Sequence, residues 1–457
     1  MIVKGALLSL AALVVPALAH GQALSLDVES VLIEDVGATW QTVLLVNEYT
    51  NPVVVCTYNL RTNADQPATT RVRSVGSTSF ELRVQRFEDS SAFTPSDVHC
   101  LIAEEGVNTL GDGKIIEART VLSDGTNGNS PGWGSANAEN VAALVTGTYG
   151  TPVILGQVMT FNDNQASVFW TFNCSNRGTP ATDANMCVGK HIGMINDTRL
   201  DETLGFIVTA PGSGTVNDVD YAFARGGNSV AGTGNTPPYQ YTISGDFDTG
   251  VTTQAAENGG NGGWSVLYGT DPLPSNRINL AIEEETVAGD TTRRHINEQV
   301  YYGVFRNRQT AQLAVSKTND VYSGSSVAFA VPGSDIIYTL LVESTGSAPV
   351  DRDSVFLVDS LPSEVAFYNG DIDDGGPETG VIAFDARASG LTLTEATDLG
   401  FSDAIAKPTS FAGCTYTPSL GYDPDVRHIC FNPKGLLRGG TLMSDTDFTI
   451  SFRTRIE

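Results

Sequence analysis

Wherever this chain shows periodicity, apolar and polar residues alternate with a period of two. Phe80, Leu82 and Val84 alternate with Glu81, Arg83 and Gln85, and Phe448, Ile450 and Phe452 alternate with Thr449, Ser451 and Arg453. Successive side chains of a strand point to opposite faces, so each run reads as a half-buried strand. Strongly periodic helical stretches are nearly absent, while 47 glycines, with Asn, Thr and Ser, punctuate the 457 residues at close intervals. Many short strands between turn residues describe an all-β chain of tandem β-sandwiches.

The N-terminus carries Lys4, an apolar stretch from Ala6 to Val15, Pro16 and the small-residue triplet Ala17, Leu18, Ala19. That is the order of a secretory signal peptide, with cleavage after Ala19 or at a second site ending at Ala23; residues 1–23 are assigned to it. The run is shorter than the roughly 18 to 20 apolar residues a membrane-spanning helix needs, and no second stretch of that hydrophobicity follows. The mature chain is therefore expected to be secreted or held at the cell surface, with no transmembrane segment. Its net charge of −26 becomes −27 when Lys4 leaves with the signal. Such a field repels phosphate backbones and anionic lipids, which argues against nucleic acid or a bare membrane as partner and suits solubility in a salty exterior.

Six cysteines fall in three sequence-local pairs: Cys56 with Cys100, Cys174 with Cys187, and Cys414 with Cys430. Spacing alone leaves the connectivity open, but export to an oxidising compartment favours local disulfides. A short loop such as 174–187 would gain on the order of 3 kcal/mol from closure. No CxxC occurs and the histidines (His20, His99, His191, His295, His428) are scattered, which argues against a zinc site. No cofactor is expected, with calcium the one exception weighed below.

Tyr49-Thr50-Asn51-Pro52-Val53-Val54-Val55 stands 100 positions before Tyr149-Gly150-Thr151-Pro152-Val153-Ile154-Leu155, and Ser79 to Leu82 is matched by Gly205 to Val208. The pattern reads as a duplication whose second copy carries insertions: the 174–187 loop and the Gly/Asn tracts around 211–236 and 255–263. The units expected are 24–122, a Gly/Asn/Ser linker 123–138, a second sandwich 139–306, and, past a boundary near Arg306 to Gln312, a third unit 313–457.

The first unit, through TWQTVLLVNEYTNPVVVCTYNL and RVRSVGSTSFELRVQRF, resembles the H-type lectin domain, and the second unit does so more weakly. The resemblance implies a small β-sandwich, trimeric assembly and binding of N-acetylgalactosamine. The family's aromatic sugar contact is not matched, since Gln85, Arg86, Phe87 and Glu88 stand there. The third unit resembles the bacterial domain-of-unknown-function family numbered eleven. Pro332-Gly333, Tyr338, the turn Ser344-Thr345-Gly346 and Asp359-Ser360-Leu361-Pro362 carry the likeness, with Ser where the family has Asn. That resemblance implies an immunoglobulin-like sandwich of a bacterial surface or secreted protein, and no reaction.

Neither HExxH nor a phosphate loop is present. The one Gly-x-Ser-x-Gly match, Gly128-Asn129-Ser130-Pro131-Gly132, lies in the Gly/Asn linker without the strand and helix that a nucleophile elbow needs. Asp371, Asp373 and Asp374, beside Gly375 and Gly376, could fold oxygens around Ca²⁺, but the Glu of an EF-hand loop is missing; a solvated turn is the competing reading. For a carbohydrate, an aromatic face and a planar guanidinium fork are the useful groups. Trp133 and Trp264 in Gly-rich loops, with Tyr268, Arg71 and Arg73, are the candidate contacts, whereas Trp40 and Trp170 read as core residues. The expected function is non-catalytic: glycan or partner binding, or adhesion, at a cell surface. The competing readings are a self-assembling, homo-oligomeric surface-layer or filament component and a glycan-active hydrolase.

Overall fold

The computed structural model describes residues 19–457 except 88–93, 129–131, 144, 146, 289–290, 325–328, 441 and 443–445. Residues 1–18, most of the expected signal peptide, lie outside the described residues, as does the serine of the Gly-x-Ser-x-Gly match, Ser130. The described residues form thirty strands and one α-helix, Glu395–Asp398, so the chain is all-β with several sheets, as its alternation indicates. No helix among them is long and apolar enough to cross a membrane. They fall into two compact units, 19–308 and 309–457.

The first unit is organised around the strand Pro52–Leu60, every residue of which is buried. This strand pairs antiparallel with Ser96–Glu104 and makes a short parallel ladder with Gly263–Tyr268. The seven-stranded sheet runs Ala19–Ser25, Val28–Val36, Ser96–Glu104, Pro52–Leu60, Gly263–Tyr268, Arg277–Glu284, Tyr239–Thr242. Alternation sends Val53 and Val55 into one core with Leu101, Leu155 and Phe206. It sends Val54, Cys56, Tyr58 and Leu60 into a second, with Phe80, Leu82 and Trp264. The sheet of Gln41–Leu44, Ser79–Arg86 and Ala68–Arg73 covers the second core; strands such as Val153–Val158, Glu202–Thr209 and Val300–Asn307 cover the first. A strand buried on both faces has no wet side to alternate with, hence the unbroken Pro-Val-Val-Val.

This differs from two successive sandwiches over 24–122 and 139–306, because strands from both stretches share one sheet and one core. The physical reason is the second apolar face of Pro52–Leu60, which needs covering by residues far along the chain. The 123–138 segment is folded against the unit: the Asn127 N–H donates to the Lys190 carbonyl and its side-chain amide to the Asn137 carbonyl. The apparent copies are wired differently. Val153–Val158 pairs directly with the strand holding Phe206, whereas the strand holding Phe80 pairs with Gln41–Leu44 and Ala68–Arg73. At the start of the chain, Ala19–Ser25 pairs with Val28–Val36 and buries Gln22, Ala23 and Leu24. A signal boundary at 23 would cut this strand; cleavage after Ala19 leaves it nearly whole.

The two sequence stretches are also joined by charge. Arg71 and Glu202 are fully buried and form an ion pair at 3.3 Å. The second Arg71 nitrogen donates to the Gln165 carbonyl, and Glu202 accepts from the backbone N–H groups of Asn162 and Asp163. Removing one partner of such a pair strands a buried charge. Glu202→Gln is therefore expected to cost about 3–5 kcal/mol, read as a lowered urea midpoint, whereas Arg71→Met with Glu202→Leu costs much less; equal losses would contradict this.

The second unit has a sheet ordered Leu313–Val321, Asp335–Ser344, Asp447–Ile456, Val365–Asn369, Gly421–Asp423, with Ile382–Asp385 also on Asp447–Ile456. Facing it are Leu357–Ser360, His428–Phe431 and Leu399–Ser402. The alternating Phe448, Ile450 and Phe452 enter the shared core with Phe367 and Phe431. All six cysteines are paired as their local spacing suggests, Cys56 lying directly opposite Cys100 on neighbouring strands.

At the rim of that sheet Asp335 accepts from Arg453, from Arg455 Nε at 2.8 Å and from the Tyr422 hydroxyl at 2.8 Å. Burial alone would raise its pKa, but these hydrogen bonds hold the carboxyl below its ordinary range. With the folded value below the unfolded one, the stability it contributes is complete above about pH 4 and is lost as pH falls further. The protection factors of the Asp335–Ser344 amides, exchange rates corrected for their intrinsic pH dependence, should fall below about pH 4 in the wild type and show a flatter pH response in Asp335→Asn; identical profiles would refute the assignment.

Candidate functional site

The residues nominated for carbohydrate contact are mostly built into the first unit. Trp264, 6 % exposed, stacks on Phe87 at 4.9 Å and donates its indole N–H to the Ala68 carbonyl at 3.1 Å. Trp133 is half-buried against Trp170 and His191, at 5.1 and 5.3 Å. Both were expected in open Gly-rich loops. The glycines instead admit rings to the backbone: a Cβ on Gly262, at φ +75°, would stand 2.5 Å from the Trp133 ring. Arg71 is consumed by Glu202, and Tyr268 donates to the Asn63 side-chain oxygen at 2.8 Å. Arg73 remains partly exposed, paired with Glu81 and lying 4.1 Å over the Trp40 ring. Arg83 lies over both Trp40 and Phe161, so Trp40, a core residue on the sequence reading, belongs to a half-exposed ladder of rings and guanidinium groups. Trp264→Ala is expected to cost about 3–5 kcal/mol as a core truncation; a thermal midpoint within a degree of wild type would show that its ring is dispensable.

Asp371, Asp373 and Asp374 do not gather as a ligand set. Asp371 accepts from the N–H of Asp373 and Gly375, and Asp373 from Gly376 and Glu378. Asp374 pairs with Arg453 at 2.8 Å. The carboxylates cap their own turn and fasten it to the sheet.

The densest buried chemistry lies at another corner of the first unit. The strand Arg277–Glu284 ends in Glu283 and Glu284, followed by Glu285. Neighbours on a strand face opposite ways, and here both faces are covered, so both carboxylates are buried. Glu283 meets Arg293 and the Thr233 hydroxyl. Burial raises its pKa and Arg293 opposes that rise. Arg293 adopts φ 54°, a left-handed conformation uncommon outside glycine, while its guanidinium also holds the carbonyls of Asn63 and Asp65.

Glu284 turns to His295. Its carboxylate bonds Nδ1, while Nε2 lies 3.0 Å from Glu298 and 3.5 Å from Glu257. Glu257 and Glu298 flank the strands Thr249–Gln254 and Val300–Asn307, which brings three chain segments to one imidazole. All four side chains are at most 4 % exposed. Glu298 further accepts from the N–H groups of Asn258 and Gly259; a Cβ on Gly259 would lie 2.4 Å from the imidazole, so glycine lets the backbone come this close. Burial alone would lower the His295 pKa, but hydrogen bonds to Glu257, Glu284 and Glu298 push it up to about 11, making it an imidazolium at neutral pH. Burial raises Glu257. Among the described residues, Oε2 of Glu284 and Oε2 of Glu298 accept no hydrogen bond, and Oε1 of Glu257 meets the imidazole alone, at 3.5 Å. Glu257, His295 and Glu298 each offer a ligand atom within 4.8 Å of the others, which makes them the residues able to hold a metal ion.

Sequence reasoning placed no function here. The available signal was the run Ile278-Asn279-Leu280-Ala281-Ile282-Glu283-Glu284-Glu285, three acids directly continuing an apolar strand, with Arg293 and His295 shortly after.

No known family model matches the chain. It is 25 % identical over 418 residues to a protein named halomucin from Haloquadratum walsbyi, an alignment covering 88 % of this chain. The chain spans 4 % of that relative's length.

Proposed function

We propose that this chain is an exported, disulfide-stapled module of an extracellular coat that works by contact with a glycan or protein partner and not by turnover. The likeness to a relative bearing a mucin's name carries the reading. The part of the chain outside that alignment, 12 % as the complement of the 88 % covered, is much shorter than either compact unit, so both units take part in the likeness. Three disulfides and a net charge of −26 suit an oxidising, salty exterior. The lectin-like and immunoglobulin-like readings remain proposals of the same kind; Tyr338 on Asp335–Ser344 and the turn at 344–346 after it are in keeping with the second. The half-exposed Trp40, Arg73, Arg83 and Phe161 ladder is the face offered to a partner, since rings and guanidinium planes suit sugar C–H groups and hydroxyls.

A glycan array probed with the intact mature chain is expected to return ligands whose signal drops at least about tenfold, some 1.4 kcal/mol, in Trp40→Ala and Arg73→Ala but not in Trp133→Ala. No ligand, or equal signals in all variants with unchanged thermal midpoints, would remove the ladder from the reading. Self-assembly is the second reading. Among the described residues, Leu313–Val321 is an edge strand that pairs only with Asp335–Ser344, and its Leu313 and Val315 are exposed. Such an edge can accept a strand of another chain. A strictly monomeric mature chain on sizing chromatography would remove it.

A further inference from the structure

The corner at His295 holds more negative charge than its cations balance. Arg293 is taken up by Glu283, and Glu285 accepts from the backbone N–H groups of Met194, Val287 and Ala288. That leaves Glu257, Glu284 and Glu298 around one imidazole, all buried. Among the described residues, Oε2 of Glu284 and Oε2 of Glu298 accept no hydrogen bond, and Oε1 of Glu257 has the 3.5 Å ion pair to His295 Nε2 alone. A buried carboxylate oxygen without a donor is costly, and Glu257 and Glu298, which share the Nε2 side of the ring, are the two that a cation placed there would satisfy.

The geometry points to a divalent transition-metal site, and we infer that His295 Nε2, Glu257 and Glu298 bind Zn²⁺. Tetrahedral zinc, with bonds of about 2.0–2.2 Å, places its ligand atoms about 3.3–3.5 Å apart. His295 Nε2 stands 3.0 Å from Glu298 Oε1 and 3.5 Å from Glu257 Oε1, close to that spacing, and all three ligand atoms lie within 4.8 Å of one another. Glu284 on Nδ1 supplies the second requirement. A ligating histidine almost always gives its other N–H to a carboxylate or carbonyl, which fixes the tautomer whose Nε2 lone pair faces the metal. Backbone N–H groups of Asn258 and Gly259 hold Glu298, and Gln254 holds Glu257, so the ligands are oriented by the fold. Binding displaces the Nε2 proton to solvent and places a dication where the imidazolium alone stood among three carboxylates.

Imidazole with carboxylates suits zinc, whereas calcium takes oxygen ligands, which distinguishes this site from the calcium reading of the Asp371 turn. Because the ligands are buried, the ion ties together the segments around 257, 284 and 295–298 and is structural. The proposal does not depend on the glycan or coat reading.

The test uses the full mature chain with its disulfides formed, stripped with a chelator and titrated calorimetrically with zinc chloride, with calcium chloride in parallel. The expected result is saturable zinc binding at one ion per chain, lost in His295→Gln and weakened roughly 10- to 100-fold in Glu284→Gln, which leaves the three ligands in place. Cobalt(II) in place of zinc should give the visible bands of a tetrahedral site in the wild type, a readout that does not need any variant to fold. A stripped chain that stays folded and takes up no zinc would overturn the site and leave an imidazolium held by glutamates. Zinc binding unchanged in folded His295→Gln would overturn it too, as would calcium bound as tightly as zinc.

Discussion

The strand Pro52–Leu60 is buried on both faces, and the architecture of the described residues of the first unit follows from that constraint. A strand with one wet face is satisfied by a single sandwich. This one sends Val53 and Val55 to one side and Val54, Tyr58 and Leu60 to the other, so each side must be covered by further sheets. One cover comes from neighbouring sequence, at Ser79–Arg86; the other comes from Val153–Val158 and beyond. At about 25 cal/mol per Å² of apolar surface removed from water, leaving either face bare would forfeit a large part of a domain's marginal stability.

Closing so many layers takes polar side chains inside with the apolar ones, and the first unit matches them in pairs or nests. Arg71 with Glu202 and Arg293 with Glu283 are one-to-one. The His295 nest is not, with three glutamates on one imidazole. Buried pairs add little net stability, but they penalise any arrangement that separates them. Because Arg71 and Glu202 lie 131 positions apart, their pairing enforces the long-range closure that the apolar strand demands.

Much of the fold was legible. Phe80, Leu82 and Val84 point inward as their alternation requires, and the cysteines pair locally. The division at 308/309 falls within the stretch Arg306 to Gln312, just before the β-rich block that begins at Leu313. The fusion of the first two stretches could not be read from periodicity, because Val53-Val54-Val55 is the same string whether a strand is buried by neighbours or by residues 100 positions away. Trp133 and Trp264 misled for a related reason: glycine marks both open loops and places where a ring meets backbone, and only the packing tells them apart. The His295 nest was hidden because its side chains come from three segments of the chain, and of these only Glu284 lies in a visible acidic run, Glu283 to Glu285.

Native-state hydrogen exchange followed by mass spectrometry bears most directly on whether the first unit is one body. Peptides covering Pro52–Leu60 and Val153–Val158 should exchange through the same opening, with one free energy and one urea dependence. If Val153–Val158 instead exchanged freely while Pro52–Leu60 stayed protected, the two stretches would be independent sandwiches and the shared core would be wrong.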